Sequence, residues 1–278
     1  METNDVLQSL GRIPDHEIPL AEAALLLSAS YGAGIDLDRY RNHLSKLAAE
    51  VGKRFAALLD AGADDSAETR LAALKHIISD QYQYEGDTDN YDDLENADLV
   101  RVIDRRKGLP IALSIITLHA AKAQGWDMEG INFPGHFLLR LEQGSHRLIT
   151  DPFSRFQIMQ ASDLRNLVKK IAGPDAELSS SYYESATSRD ILIRLQNNIK
   201  YRQIEHEDYD GALKTVEQMR LIAPDENRLL FDSGVLHARN SHIRKAIEIL
   251  EEYLEKASKP SDRRDAELFL ASLRDSLQ

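Results

Sequence analysis

Between Asp104 and Phe153 the chain runs DRRKGLPIALSIITLHAAKAQGWDMEGINFPGHFLLRLEQGSHRLITDPF, and the helix inside this stretch constrains everything around it. From Ile111 to Ala123 nearly every face is apolar, with Ile111, Leu113, Ile115, Ile116 and Leu118 spread around the turn. A helix with no polar side must be covered on all sides. Gly108 and Pro110 open it. At the first helical position proline is harmless, because that N–H has no intrahelical partner and φ is already set. Gly125 stops the helix. Three short, partly alternating segments follow, Met128–Phe133, Phe137–Leu141 and Arg147–Thr150, the last after a Gly-Ser turn. The stretch therefore reads as a helix, a strand carrying His136, and a strand ending in Asp151.

Such a core needs partners, and the chain is long enough to supply them. Its 278 residues suit two domains of ordinary size, and 42% hydrophobic with 29% charged residues is the balance of a soluble globular protein. No apolar run approaches the roughly 18–20 residues that a membrane span needs. The first twenty residues lack the basic start and apolar centre of a secretory signal. With no cysteine, disulfides and thiolate metal sites are excluded, and a cytoplasmic location is expected. The net charge of −12 is uneven. Residues 185–278 hold 15 Lys and Arg against 17 Asp and Glu, which leaves 19 against 29 for residues 1–184. An acidic front half argues against non-specific nucleic-acid binding, which rests on basic phosphate contacts.

The first hundred residues read as helices that cover the core. Leu20–Tyr31 is short and apolar. Asp36 caps a longer helix, Leu37–Leu59, with Tyr40, Leu44, Leu47, Val51, Phe55 and Leu58 at three- and four-residue spacing. Ser66 with Thr69 starts another, striped by Leu71, Leu74, Ile77 and Ile78. Gln81–Glu95 is an acidic, Tyr-rich loop that leads into a helix over Ala97–Arg106. Its carboxylates suggest calcium, but Tyr91 stands at a ligand position and Asp92 where a helix–loop–helix calcium site needs glycine. A structural or groove-rim loop is the better reading, and neither a metal nor a cofactor is expected.

A boundary falls after the helix Ser162–Ala172, where Gly173-Pro174 and a Ser-rich connector follow. We divide the chain at residues 1–180 and 181–278. In the second part Ala212 and Ala246 lie 34 residues apart, the tetratricopeptide period. Leu195 and Leu229, Leu213 and Ile247, Val216 and Leu250, Met219 and Tyr253 keep the same register. Gly234 fills the small position of the second repeat, where the first repeat has Lys200. About two repeats and a capping helix, Arg263–Leu277, make up this region. That is fewer than the three or so an independent array needs, so docking on the front domain is expected.

The core stretch resembles the transglutaminase-like superfamily, and specifically the bacterial SirB family, which joins such a domain to tetratricopeptide repeats. The resemblance extends over about residues 18–275. It implies an α+β, mostly helical fold: a cysteine-peptidase-like core behind N-terminal helices, followed by the repeats. In active superfamily members a Cys sits at the helix start, a His on the following strand and an Asp on the strand after. His136 in FPGHF and Asp151 in TDPF match the last two. The nucleophile position falls on Pro110, which offers no thiol, so acyl transfer lacks its first requirement.

His136 and Asp151 admit two readings: a general base oriented by a carboxylate, or a retained structural pair tying neighbouring strands together. Without a nucleophile the structural reading is preferred. Ser114 and Thr117 are the only hydroxyls within the helix, and Ser114 lies a full turn from the end where an anionic nucleophile would be favoured. Trp126 and Phe133 read as core. The implied function is a non-catalytic scaffold, a pseudoenzyme binding a protein or peptide partner in a regulatory role. The competing readings are a hydrolase or transferase of altered chemistry using His136 and Asp151, and a regulatory subunit of a larger complex. Neither nucleic acid nor membrane is an expected partner.

Overall fold

The computed structural model describes residues 3–32 and 34–275. Leu277, the end assigned to the capping helix, lies outside them. In chain order the helices are α1 (Thr3–Leu10), α2 (Leu20–Ala29), α3 (Leu37–Asp60), α4 (Ala67–Lys75), α5 (Leu99–Arg105), α6 (Pro110–Ala123) and α7 (Ala161–Ala172), then α8 (Ser188–Glu205), α9 (Tyr209–Ile222), α10 (Arg228–Arg239), α11 (Ile243–Lys256) and α12 (Pro260–Asp275). Six strands accompany them: β1 (Glu85–Gly86), β2 (Lys107–Gly108), β3 (Asp127–Ile131), β4 (Leu138–Gln143), β5 (His146–Asp151) and β6 (Gln157–Ile158). The class is α+β and mostly helical. The chain forms two compact units, Asp15–Ile191 and a second built from Met1–Pro14 with Leu192–Gln278.

In the first unit α6 is the centre. Every residue from Pro110 to Thr117 is buried, as its all-apolar surface requires. Ser114 and Thr117 meet this burial by donating their hydroxyls to the carbonyls four residues back, Pro110 at 2.7 Å and Leu113 at 2.9 Å. α2, α3 and α5 pack on α6, as do β3 and β4. The Asp36 carboxylate accepts from the Asp38 N–H at the start of α3, and the Ser66 hydroxyl accepts from the Thr69 N–H at the start of α4, both the expected caps. Past Lys75 the backbone widens into one π-helical turn, His76–Gln81, which carries Ile77 and Ile78. The main sheet is an antiparallel meander, β3-β4-β5-β6, with Ile131 opposite Leu138 and Leu139 opposite Thr150.

Three strands escape the sequence pattern, β1, β2 and β6. Each is two residues long, too short for any period to register. β1 and β2 form a parallel ladder, Glu85 beside Lys107 and Gly86 beside Gly108. A polar clamp holds it. Tyr84, 1% exposed, brings its hydroxyl within 2.9 Å of His43 Nε2, and Arg106 reaches both groups, 2.7 Å from His43. Burial, reinforced by the Arg106 charge, pushes the His43 imidazole down to about 4. The acidic loop is also tied down. Arg105 bonds the buried Asp87 at 2.8 Å, and Lys107 lies 3.4 Å from Asp89.

In the second unit the repeat register is visible in the packing. Ala212 and Ala246 are fully buried, as are Val216 and Leu250, while Met219 and Tyr253 occupy equivalent buried positions. Lys200 departs from the small residue of its repeat because Asp232 neutralises it at 2.6 Å, with the lysine side chain 5% exposed. α1 packs on α9 in this unit.

Two measurements probe these contacts. A Cβ at Gly234 would sit 2.7 Å from Leu250 Cγ, so Gly234→Val should overpack the repeat and cost about 1–3 kcal/mol in urea unfolding. His43 binds its proton near pH 6.5 when unfolded but only near 4 in the fold. The unfolded state therefore holds the extra proton between those values, and stability should fall as pH drops from about 6.5 to 4. His43→Gln should flatten the unfolding midpoint across that window.

Candidate functional site

The site is built where β5 ends. Asp151 is the last residue of β5 and only 3% exposed. The segment Asp151-Pro152-Phe153-Ser154 then turns back on it: Oδ1 accepts the Phe153 N–H at 3.0 Å and Oδ2 accepts the Ser154 hydroxyl at 2.7 Å. This is an Asx turn, with proline fixing the residue after the aspartate. His136 Nε2 lies 3.0 Å from Oδ2, a charge pair when the ring is protonated. The imidazole keeps 17% of its side-chain surface exposed, so one edge faces solvent while the carboxylate behind it does not.

His136 does not ride on a strand, contrary to the sequence reading. It lies in the turn between β3 and β4, where its N–H bonds the Phe133 carbonyl at 3.1 Å. β3 ends at Ile131, and the Pro134-Gly135 turn, with Gly135 at a left-handed φ of +62°, separates it from the histidine. Asp151 is where the pattern placed it. The two meet because β4 and β5 pair in register, carrying the turn and the strand end to the same edge of the sheet.

Phe153 links this pair to the start of α6. Its ring stands edge-on to His136 at 6.2 Å and to Tyr91 at 5.8 Å. Its carbonyl accepts the Gly86 N–H at 3.2 Å, and Gly86 pairs with Gly108 two residues before Pro110. The ring lies so close to Gly86 that any Cβ there would collide with it. The acidic loop thereby supplies the rim, with Tyr91 43% exposed above Phe153. Below the rim, burial alone would raise the Asp87 carboxyl. Hydrogen bonds from the Asn90 N–H and the Asn96 side chain, with the Arg105 charge, outweigh it and hold the group below the usual carboxylate range.

Pro110 begins α6 as expected, buried, and supplies neither acid, base nor nucleophile. Ser114 and Thr117 are sealed in the core and committed to backbone carbonyls. Trp126 and Phe133 are buried, at 8% and 1% exposure. Ser154 was not singled out from sequence, although Asp-Pro-x-Ser is an Asx-turn signature that points its hydroxyl back at the aspartate. Gly86 and Phe153 were likewise invisible, since they meet only through a two-residue ladder. Among the described residues no three or more His, Asp and Glu side chains converge to hold a metal ion, and no helix is long and apolar enough to cross a membrane.

Removing the carboxylate tests the build. Asp151→Ala leaves the Phe153 N–H, the Ser154 hydroxyl and His136 without their shared acceptor, and should cost on the order of 1–3 kcal/mol in chemical denaturation. Ser154→Ala, at an exposed position with Asp151 still satisfied, should change stability by about 0.5 kcal/mol or less.

Comparison with known proteins matches this architecture. The transglutaminase-like superfamily model matches residues 38–197, and a tetratricopeptide-repeat model matches residues 199–274. A UPF0162 protein of Xylella fastidiosa is 27% identical over 254 residues, 89% of this chain and 87% of its own length. A UPF0162 protein of Pseudomonas aeruginosa is 31% identical over 205 residues, 74% of this chain and 72% of its own. F-box only protein 21 of Homo sapiens is 35% identical over 88 residues, 32% of this chain and 14% of its own. No solved structure matches. The superfamily match covers more than half of the chain and includes Pro110, His136 and Asp151, and the chain belongs to the transglutaminase-like superfamily.

Proposed function

We propose that this chain is a non-catalytic transglutaminase-like scaffold of the SirB type, which binds a protein or peptide partner in a regulatory role. The observation that carries this reading is the pairing of a cysteine-free sequence with Pro110 at the first position of α6, where active relatives place their thiol. Covalent acyl transfer needs a nucleophile within reach of a base. The hydroxyls nearest to hand do not replace it. Ser114 is fully buried and donates to Pro110. Ser154 is exposed, but its proton points at Asp151 rather than at His136. In a working triad the base accepts the nucleophile's proton and the carboxylate orients the base. Here one carboxylate serves both neighbours, an arrangement that fastens a turn. Tetratricopeptide repeats generally mediate protein–protein interaction, and their stacked helices present the extended surface for it.

A second reading, a hydrolase or transferase of altered chemistry, has one observation in its favour: a partly exposed imidazole 3.0 Å from a buried carboxylate, able to activate water. One experiment separates the two. The purified full chain is assayed with amine donors, glutamine peptides and generic amides. Rates at background, unchanged in His136→Ala, are expected. Turnover that disappears in His136→Ala would establish the second reading and end the first.

A further inference from the structure

Away from His136 and Asp151, neither of which lines it, the first unit contains a cavity of about 660 Å³. That volume falls within the roughly 300–1,000 Å³ typical of small-molecule pockets. Its floor and sides are apolar: Ile18 and Leu25 from the α2 segment, Leu44 from α3, Leu118 from α6, then Trp126 and Met128 at the start of β3. The cavity lies beside the last turn of α6, which runs out at Ala123.

The charged groups on its walls are already matched. Arg41 bonds Glu22 at 2.9 Å and Asp38 at 2.8 Å. Glu129 is held by Arg140 and Ser185. The exposed pair Lys122 and Asp127 contributes one charge of each sign, and with Glu22 and Glu129 against Arg41 the lining holds three carboxylates and two cations, so it offers no surplus cation for an anionic ligand. His119 is different. It lies one turn before Ala123 on α6, half-buried among these apolar groups. Burial lowers its proton affinity. At neutral pH it is a neutral imidazole offering one N–H donor and one ring-nitrogen acceptor. The indole of Trp126 and the thioether of Met128 favour a flat, polarisable body beside it.

We infer that this cavity is a binding site for a small, uncharged aromatic molecule carrying one hydrogen-bonding group, which His119 reads. The site is independent of whether the His136 region is catalytic. It joins α2, α3, α6 and β3, so an occupant would stiffen the helical cover of the core without touching the β5 turn.

Trp126 is the only tryptophan in the chain, which makes the test direct. N-phenyl-1-naphthylamine, neutral, aromatic and with a single N–H, is titrated into the full chain. Emission is followed both on direct excitation and by energy transfer from Trp126. Saturable binding with energy transfer is expected. Ala123→Phe, at an exposed position on the cavity edge, should weaken it by about tenfold or more by filling the space. His119→Leu, which keeps the apolar volume and removes the ring nitrogens, should weaken it by roughly threefold or more. Circular dichroism and melting of both variants establish that they are folded. Absence of saturable binding, absence of transfer from Trp126, or unchanged affinity in both variants would overturn the site. Tighter binding of the anionic analogue 1-anilinonaphthalene-8-sulfonate would overturn the uncharged ligand class.

Discussion

Everything in the first unit follows from burying two turns of α6 on every side. A core helix of this kind gains about 1.5–3 kcal/mol for each large aliphatic side chain removed from water, but it leaves no face for polar groups. Ser114 and Thr117 survive there because each hydroxyl can return to a carbonyl of its own helix. The same demand fixes the surroundings, since α2, α3, α5 and the β3–β4 pair are all needed to close the shell. A thiolate nucleophile would need solvent and a positive environment at the head of such a helix. Pro110, buried and without an N–H, makes that head a packing element.

What keeps the His–Asp pair in place is therefore the packing around it. Gly86 must be a glycine because the Phe153 ring occupies the space of its side chain. The two-residue ladder with Gly108 then fixes Phe153, and with it Asp151, to the start of α6. The His43–Tyr84–Arg106 clamp holds the other end of that ladder. Arg106 takes φ +63° as the left-handed cap that ends α5, its N–H bonded to the Val102 carbonyl, and its side chain reaches the clamp from there. The carboxylate has a structural task of its own, since it satisfies two donors in the turn.

How far the sequence made this legible depends on the range of each signal. α6, its proline start and the strand ending in Asp151 were readable because each is a run of residues with a period. So was the repeat register, down to Ala212, Ala246 and Gly234. His136 was assigned to a strand because FPGHF is apolar and short, although its Pro134-Gly135 pair is a turn signal that takes the histidine out of the strand. β1, β2 and β6 fall below the length at which alternation exists. Ser154 was within reach, since the Asx turn needs only Asp151 and its next three residues, but the motif that drew attention ended at Phe153. The packing of α1 on α9 has no local signal at all, because it joins residues two hundred positions apart.

The lysine in the repeat shows why such exceptions still fold. Position 200 in the first repeat calls for a small residue, and a buried ammonium there would be costly in isolation. Asp232 stands opposite at 2.6 Å from the neighbouring repeat, so the charge that breaks the helix-packing pattern becomes a contact between repeats. A buried ion pair of this kind adds little net stability over an apolar pair, yet removing one partner strands the other. The pair ties α8 to α10 at one point, and a slip of α8 would part Lys200 from Asp232. The repeats thus combine polar contacts between helices, Lys200 with Asp232 and Ser233 with Glu217, with the close approach that small residues allow elsewhere.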